Sequence, residues 1–329
     1  MSQPGDLIRR FKGVSPVPDE ILLGFYDWLE ETQITPYPAQ EEAFLEIMSG
    51  QHLILQTPTG SGKSLVGVSC HLLHTVRQGR SVYTSPIKAL VNEKFRDLCE
   101  LFGEDRVGLL TGDHTINPDA LILCCTAEIL ASIAANQGDD AAIKAVVMDE
   151  FHYYADRQRG MAWQLPLLLL TKTQFILMSA TLGDTTRLRA LMERLTERDT
   201  STVESDTRPV PLSFTYLETP LQESVLGLIA NKRSPCYVVS FTHADVIQIA
   251  SGLTSVSVLD KEGRNALKKR LSGFLFNTPF GKELKRLLLA GIGVHYAGML
   301  PRYRALVERL AQAGMLGVIC GTDTLGVGI

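Results

Sequence analysis

Residues 52–76 read HLILQTPTGSGKSLVGVSCHLLHTV. An apolar run of strand length, His52–Leu55, gives way to a turn rich in glycine, Thr57-Pro58-Thr59-Gly60-Ser61-Gly62-Lys63-Ser64, and then to a helical pattern. Glycines at such a turn let backbone N–H groups approach an anion closely, and the start of the following helix carries a partial positive charge that favours phosphate. A lysine and a hydroxyl at the helix start complete a phosphate loop: Lys63 to reach the outer phosphates and Ser64 to hold Mg²⁺. The general GxxxxGK[ST] pattern is departed from at its first position, which is Thr57.

Further short apolar runs recur along the chain with helical patterns between them: SVYTS, RVGLLTG, ALILCCT, AVVMDE, QFILMSA, LSFTYLE, CYVVSF and LGVICGT. Strands apolar throughout are buried on both faces, and their alternation with helices predicts an α/β fold with parallel sheets. The length of 329 residues suggests two domains. The proline-bearing stretch SDTRPVP places a boundary near residue 207, giving domains at 1–207 and 208–329.

In AVVMDEFH an apolar strand delivers two adjacent carboxylates, Asp149 and Glu150, to its C-terminal end, where ligands bind in α/β sheets. Downstream of a phosphate loop, Asp149 is expected to hold Mg²⁺ with Ser64, and Glu150 to orient or activate the attacking water. Together the two motifs predict a nucleotide triphosphatase that uses ATP and Mg²⁺.

The sequence Asp149-Glu150-Phe151-His152 resembles the DExH box of superfamily-two helicases, and Ser179-Ala180-Thr181 resembles their third motif. Gln40, in ITPYPAQ, resembles the adenine-reading glutamine upstream of the loop, and Thr322-Asp323-Thr324-Leu325-Gly326-Val327-Gly328-Ile329 resembles the fifth motif. A narrower resemblance, to the superkiller-type DExH RNA helicases that feed RNA to exosomes, rests on several segments. These are TSPIKAL at 84–90 continuing to NEKFRDL at 92–98, Leu110-Thr111-Gly112-Asp113, Thr126-Ala127-Glu128-Ile129-Leu130, the D-x-x-R-G-x-x-W pattern from Asp156 to Trp163, RPVPL at 208–212 and GVHYAGMLP at 293–301. Gln164 stands where that family usually has Glu, and Ser64 where it more often has Thr.

The resemblance implies two RecA-like parallel-sheet domains, with catalytic roles for Lys63, Asp149, Glu150 and His152. It implies nucleotide contacts from Gln40, Thr59, Gly60, Ser61, Gly62, Lys63, Ser64 and Gly326, and coupling through Ser179 and Thr181. Single-stranded nucleic acid would cross Ser85, Lys88, Gly112, Thr126 and Thr322, with RNA favoured over DNA and RNA-degradation machinery as a partner. The chain ends at Ile329, inside the fifth motif, so the second domain is expected to be incomplete and turnover by the chain alone to be slow.

The net charge of −4 and pI near 6.0 limit any nucleic-acid contact to a local groove. Residues 261–286, with eight basic side chains against Glu262 and Glu283, could line such a groove or form a solvated helix face. His295 is read as a core histidine and Trp163 as packing near the DExH segment. Six cysteines without metal-site spacing read as small core residues in a reducing compartment. With neither an N-terminal apolar signal nor a membrane-length apolar run, a cytoplasmic monomer is expected.

Overall fold

The computed structural model describes residues 6–255 and 258–322, and it divides the chain into two compact units between Leu212 and Ser213. The first unit is built on eight strands: β1 (His52–Gln56), β2 (Arg80–Ser85), β3 (Val107–Leu110), β4 (Thr115–Ile116), β5 (Ile122–Thr126), β6 (Ile143–Met148), β7 (Gln174–Ser179) and β8 (Thr200–Glu204). They lie in the order β4-β3-β5-β2-β6-β7-β1-β8, and every neighbour pair is parallel except β3 with β4. All the long strands therefore end on one rim.

Because successive strand residues point to opposite faces, the apolar runs feed two cores. Leu53, Leu55, Tyr83, Val147 and Met178 face one, covered by α1 (Asp6–Arg9), α2 (Pro18–Glu31), α3 (Pro38–Met48), α4 (Lys63–Val76) and α5 (Lys88–Phe102). Ile54, Val82, Val146, Met148 and Leu177 face the other, under α6 (Ala127–Gln137), α7 (Gly160–Leu169) and α8 (Thr186–Thr196). Each of these side chains, fully buried, contributes about 1.5–3 kcal/mol, and polar substitutions along the runs would disrupt the sheet from either face.

The second unit carries β9 (Cys236–Val239), β10 (Ile292–His295) and β11 (Val318–Gly321), parallel in the order β10-β11-β9. Around them lie α9 (Leu221–Ala230), α10 (His243–Gly252), α11 (Lys261–Leu271), α12 (Pro279–Leu289) and α13 (Pro301–Gln312). Their core joins Val238, Val246, Leu284, Leu288, Val294, Val307 and Val318.

One reading of the sequence is corrected. LSFTYLE, expected as a strand, has no regular structure: Phe214 and Tyr216 are 92% and 87% exposed, and the run pairs with no strand in the described sheets. An alternating pattern forms a strand only where an edge accepts its hydrogen bonds. Two strands fall outside the apolar runs read as strands: TSTVE forms β8 beside β1, with Thr200 and Val203 buried, and Ile292–His295 forms β10. All six cysteines are free and buried, as read from the sequence. Among the described residues no helix is long and apolar enough to cross a membrane.

Candidate nucleotide site

The phosphate loop leaves β1 and enters α4 through backbone only glycine adopts easily. Gly60 and Gly62 have φ of +84° and +73°. A Cβ on Gly62 would lie 2.5 Å from Nε2 of Gln40, whereas the space above Gly60 is open. Gln40, on the first turn of α3, holds this corner: its Nε2 donates to the carbonyls of Gly62 (2.8 Å) and Ser61 (3.2 Å), and its Oε1 accepts from the Tyr37 N–H (2.8 Å). The Thr57 and Ser61 hydroxyls pair at 2.7 Å, and the Thr57 N–H donates to the Ser179 carbonyl at the end of β7. Thr59 and Ser64 are exposed at the mouth.

Lys63 folds back on the loop, donating to the carbonyls of Thr57 (2.9 Å) and Pro58 (3.1 Å). Its pKa is lowered by burial, against the pull of Asp149 and Glu150. A cavity of about 240 Å³ opens beside it, lined by Tyr37, Gln40, Leu55, Thr57, Ser61 and Lys63, with Ser205, Thr207 and Pro209 opposite.

The carboxylates arrive from β6, separated from β1 by β7 alone. Asp149 Oδ2 accepts from the Tyr83 hydroxyl at 2.7 Å, and Oδ1 accepts from the Glu150 N–H at 3.0 Å. Glu150 itself sits at φ +55°, a left-handed conformation that costs energy outside glycine and re-aims the chain at the end of the strand. Its pKa is raised, first by burial and then by Asp149, with His152 and Lys63 pulling the other way. His152 Nδ1 lies 3.3 Å from Glu150 Oε2 and 3.2 Å from Ser179 Oγ, which also accepts from the Thr181 N–H at 3.2 Å. The loop, the carboxylates and the Ser179–Thr181 turn thus meet on one rim.

The residues expected to touch a nucleic-acid strand are placed unevenly. Lys88 is exposed, ion-paired to Asp113 at 2.7 Å, and its Nζ would stand 3.6 Å from a Cβ on Gly112. Ser85 is 0% exposed, and Thr126 is also buried. Thr322 is buried in the second unit, beside β11, while Gly326 lies outside the described residues.

Arg159 was not singled out by itself: it donates to Glu128 (2.6 and 2.9 Å) and to the Pro86 carbonyl, and stacks over Tyr153 at 5.7 Å. It therefore ties the ends of β2, β5 and β6 together. Its place in D-x-x-R-G was the available signal; the partners were not legible. Trp163 is fully buried against Phe151. His295 is buried, 3.0 Å from Glu308, its pKa lowered by burial against that contact. The basic side chains of α11 are exposed, and on α12 Arg286 pairs with Glu283 at 2.6 Å.

Strand order, glycine loop and paired carboxylates define a RecA-like nucleotide-using domain. Residues 37–188 match the family described as DEAD/DEAH box helicase. The chain is 29% identical to superkiller complex protein 2 of Mus musculus, covering 88% of this chain and 28% of that protein. It is 28% identical to the probable helicase HelY of Mycobacterium leprae (88% and 39% covered). It is 26% identical to the ATP-dependent RNA helicase mtr4 of Schizosaccharomyces pombe (90% and 32% covered). The chain thus spans 28–39% of the length of these relatives. Among solved structures, the DUF1998 helicase MrfA bound to DNA and AMPPNP shares the fold, with a TM-score of 0.61 at 20% identity over 92% of this chain and 44% of that one.

Proposed function

We propose that this chain is the motor of an ATP-dependent helicase that moves along single-stranded nucleic acid, with RNA preferred. The observation that carries the reading is the convergence of Lys63, Ser64, Asp149 and Glu150 on one rim beside a cavity lined by Gln40. The cavity suits a nucleoside, and Gln40 would read its base edge while bracing the loop. The loop N–H groups, with Thr59, Gly60, Ser61 and Gly62, would cradle the phosphates, and Lys63 would exchange its carbonyl partners for phosphate oxygens.

Ser64 and Asp149 are hard oxygen donors that fit a magnesium ion, which when bound neutralises charge on the outer phosphates. Glu150, its proton affinity raised, would take a proton from the attacking water, so hydrolysis should fall on the acid side above the usual glutamate range. His152, between Glu150 and Ser179, would report the state of that carboxylate to the Ser179–Thr181 turn. Lys88 and Gly112 would meet the strand; buried Ser85 and Thr126 would act by shaping the turns at the ends of β2 and β5. Thr322 and Gly326 would contribute from the second domain.

The preference for RNA, and a partnership with RNA-degradation machinery, are supported by the TSPIKAL, TGD and TAEIL segments and by the names of the relatives. Glu150→Gln should retain ATP affinity and lose hydrolysis, and wild-type hydrolysis should rise more with single-stranded RNA than with DNA. Stronger stimulation by DNA would make the protein a DNA helicase instead; turnover by Glu150→Gln near wild type would remove Glu150 from the chemistry.

A further inference from the structure

Ser64 is engaged by a side chain from the NEKFRDL continuation of the TSPIKAL segment, to which the sequence assigned no role of its own. Lys94, two turns into α5, donates from Nζ to Ser64 Oγ at 3.0 Å and to Asp97 Oδ2 at 3.1 Å. Its side chain is 16% exposed, and its ammonium is held between these two partners, both of which are exposed. Lys63, the lysine expected to act on the nucleotide, is turned away onto the loop carbonyls. The cation on the Ser64 hydroxyl is therefore Lys94.

A serine hydroxyl has one proton and two lone pairs. With Lys94 on one lone pair, a divalent cation on the other would stand a few ångströms from the ammonium, and two like charges so close disfavour each other. Asp97 gives the ammonium somewhere to go. It lies three residues further along the same helix and already holds a second N–H, so a small change of the Lys94 side chain releases Ser64 while keeping the charge paired.

We propose that Lys94 is a resident cation that occupies Ser64 Oγ in the absence of a divalent metal and withdraws onto Asp97 when the metal binds, so that it sets how strongly nucleotide binding depends on metal. Without metal, the ammonium supplies positive charge beside the phosphates; with metal, its departure is part of the cost of seating the ion. This rests on the nucleotide reading above. Lys94 is a positioning residue acting through Ser64.

The test is equilibrium binding of fluorescent ADP to the whole protein, in excess EDTA and in excess Mg²⁺, which needs no turnover. The quantity read is the ratio of the two dissociation constants. In Lys94→Met the metal-free complex should weaken and the metal complex tighten, raising the ratio about tenfold, equivalent to about 1.4 kcal/mol. Lys94→Arg keeps the charge and should stay within about twofold of wild type. Asp97→Asn removes the second anchor and should lower the ratio, the opposite direction, which a merely structural loss would not produce. Electron paramagnetic resonance of Mn²⁺ with ADP should follow the same order. An unchanged ratio in Lys94→Met, with circular dichroism as in wild type, overturns the role of Lys94 alone. Wild-type protein that binds no ADP in either condition overturns the nucleotide reading as well.

Discussion

Lowering the pH from 7 to 5 should strip the first unit of a large part of its stability, through three histidines on β1 and α4, two of them buried and one partly so. His52 opens β1 and is fully buried; its Nδ1 accepts from the Phe175 N–H at 2.9 Å. Its Nε2 lies 2.7 Å from Thr196 Oγ1, whose own proton goes to the Met192 carbonyl, so Nε2 carries the proton. The ring is thus neutral, and a second proton would break the bond to Phe175. Its pKa is pushed down to about 3, by burial first and Arg198 second. His71 and His74 lie on α4, the helix that begins at Lys63. Burial lowers His71 to about 3, helped by His74 and Lys94. Burial lowers His74 to about 4, opposed by its 3.0 Å hydrogen bond to Gln174.

A folded value below the ordinary 6.5 means that the contribution is complete above pH 6.5 and is lost as pH falls from 6.5 towards 3 or 4. At pH 5 the loss is about 1.5 pH units per ring, about 2 kcal/mol each. With a discount for His74, which is not fully buried, the three lose about 5 kcal/mol, against a total of about 5–15 kcal/mol for a typical domain. Both tryptophans, Trp28 and Trp163, lie in the first unit, so fluorescence during urea unfolding reads that unit alone. The midpoint should drop by about 2 M between pH 7 and 5. Carboxylates also titrate in this range, so the discriminating measurement is His71→Gln, which should be less stable at pH 7 yet lose about a third of the pH dependence. The reasoning fails if wild type loses less than about 1 kcal/mol, or if the variant has the wild-type slope.

Three further outcomes follow from the site. Lys63→Ala should abolish detectable nucleotide binding by calorimetry with circular dichroism unchanged, because the lysine contacts only loop carbonyls in the fold; wild-type affinity would remove it from the site. Gly62→Ala forces a Cβ to 2.5 Å from Gln40 Nε2 at a φ of +73°, so it should cost about 1–3 kcal/mol and weaken nucleotide binding; an unchanged melting temperature would show that the loop yields freely. Tyr83→Phe removes the 2.7 Å donor to Asp149, a hydrogen bond to a charged group that contributes about 1.5–3 kcal/mol. Stability should fall by that amount and hydrolysis should need more Mg²⁺, whereas an unaltered metal requirement would mean that Asp149 is held by its backbone alone.

What could be read from the sequence divides by the range of the interaction. The phosphate loop was legible because strand, glycines, lysine and helix are contiguous, and each needs its neighbours for a local reason: Gly60 and Gly62 take positive φ and Lys63 begins a helix. The carboxylates were legible for the same reason, being the end of an apolar strand. Gln40 and His152 were reached through resemblance, since their hydrogen bonds to Gly62 and Ser179 span 22 and 27 residues. Tyr83 escaped altogether, and Lys94 was legible only as part of NEKFRDL, with no role. One looks like a core aromatic in a buried strand and the other like an ordinary charged residue on an amphipathic helix; only the pairing of β2 with β6, and the packing around α4 and α5, bring them to Asp149 and Ser64. Ser85 shows the limit from the other side. Its position at the end of β2 suggested a contact with a strand of nucleic acid, but the parallel sheet covers the last residue of β2 on both sides, and the first side chain to reach solvent with charge is Lys88, three residues on. The residues proposed to touch nucleotide can therefore be found by pattern, while the ones that govern how those residues are held depend on strand order, which local pattern does not encode.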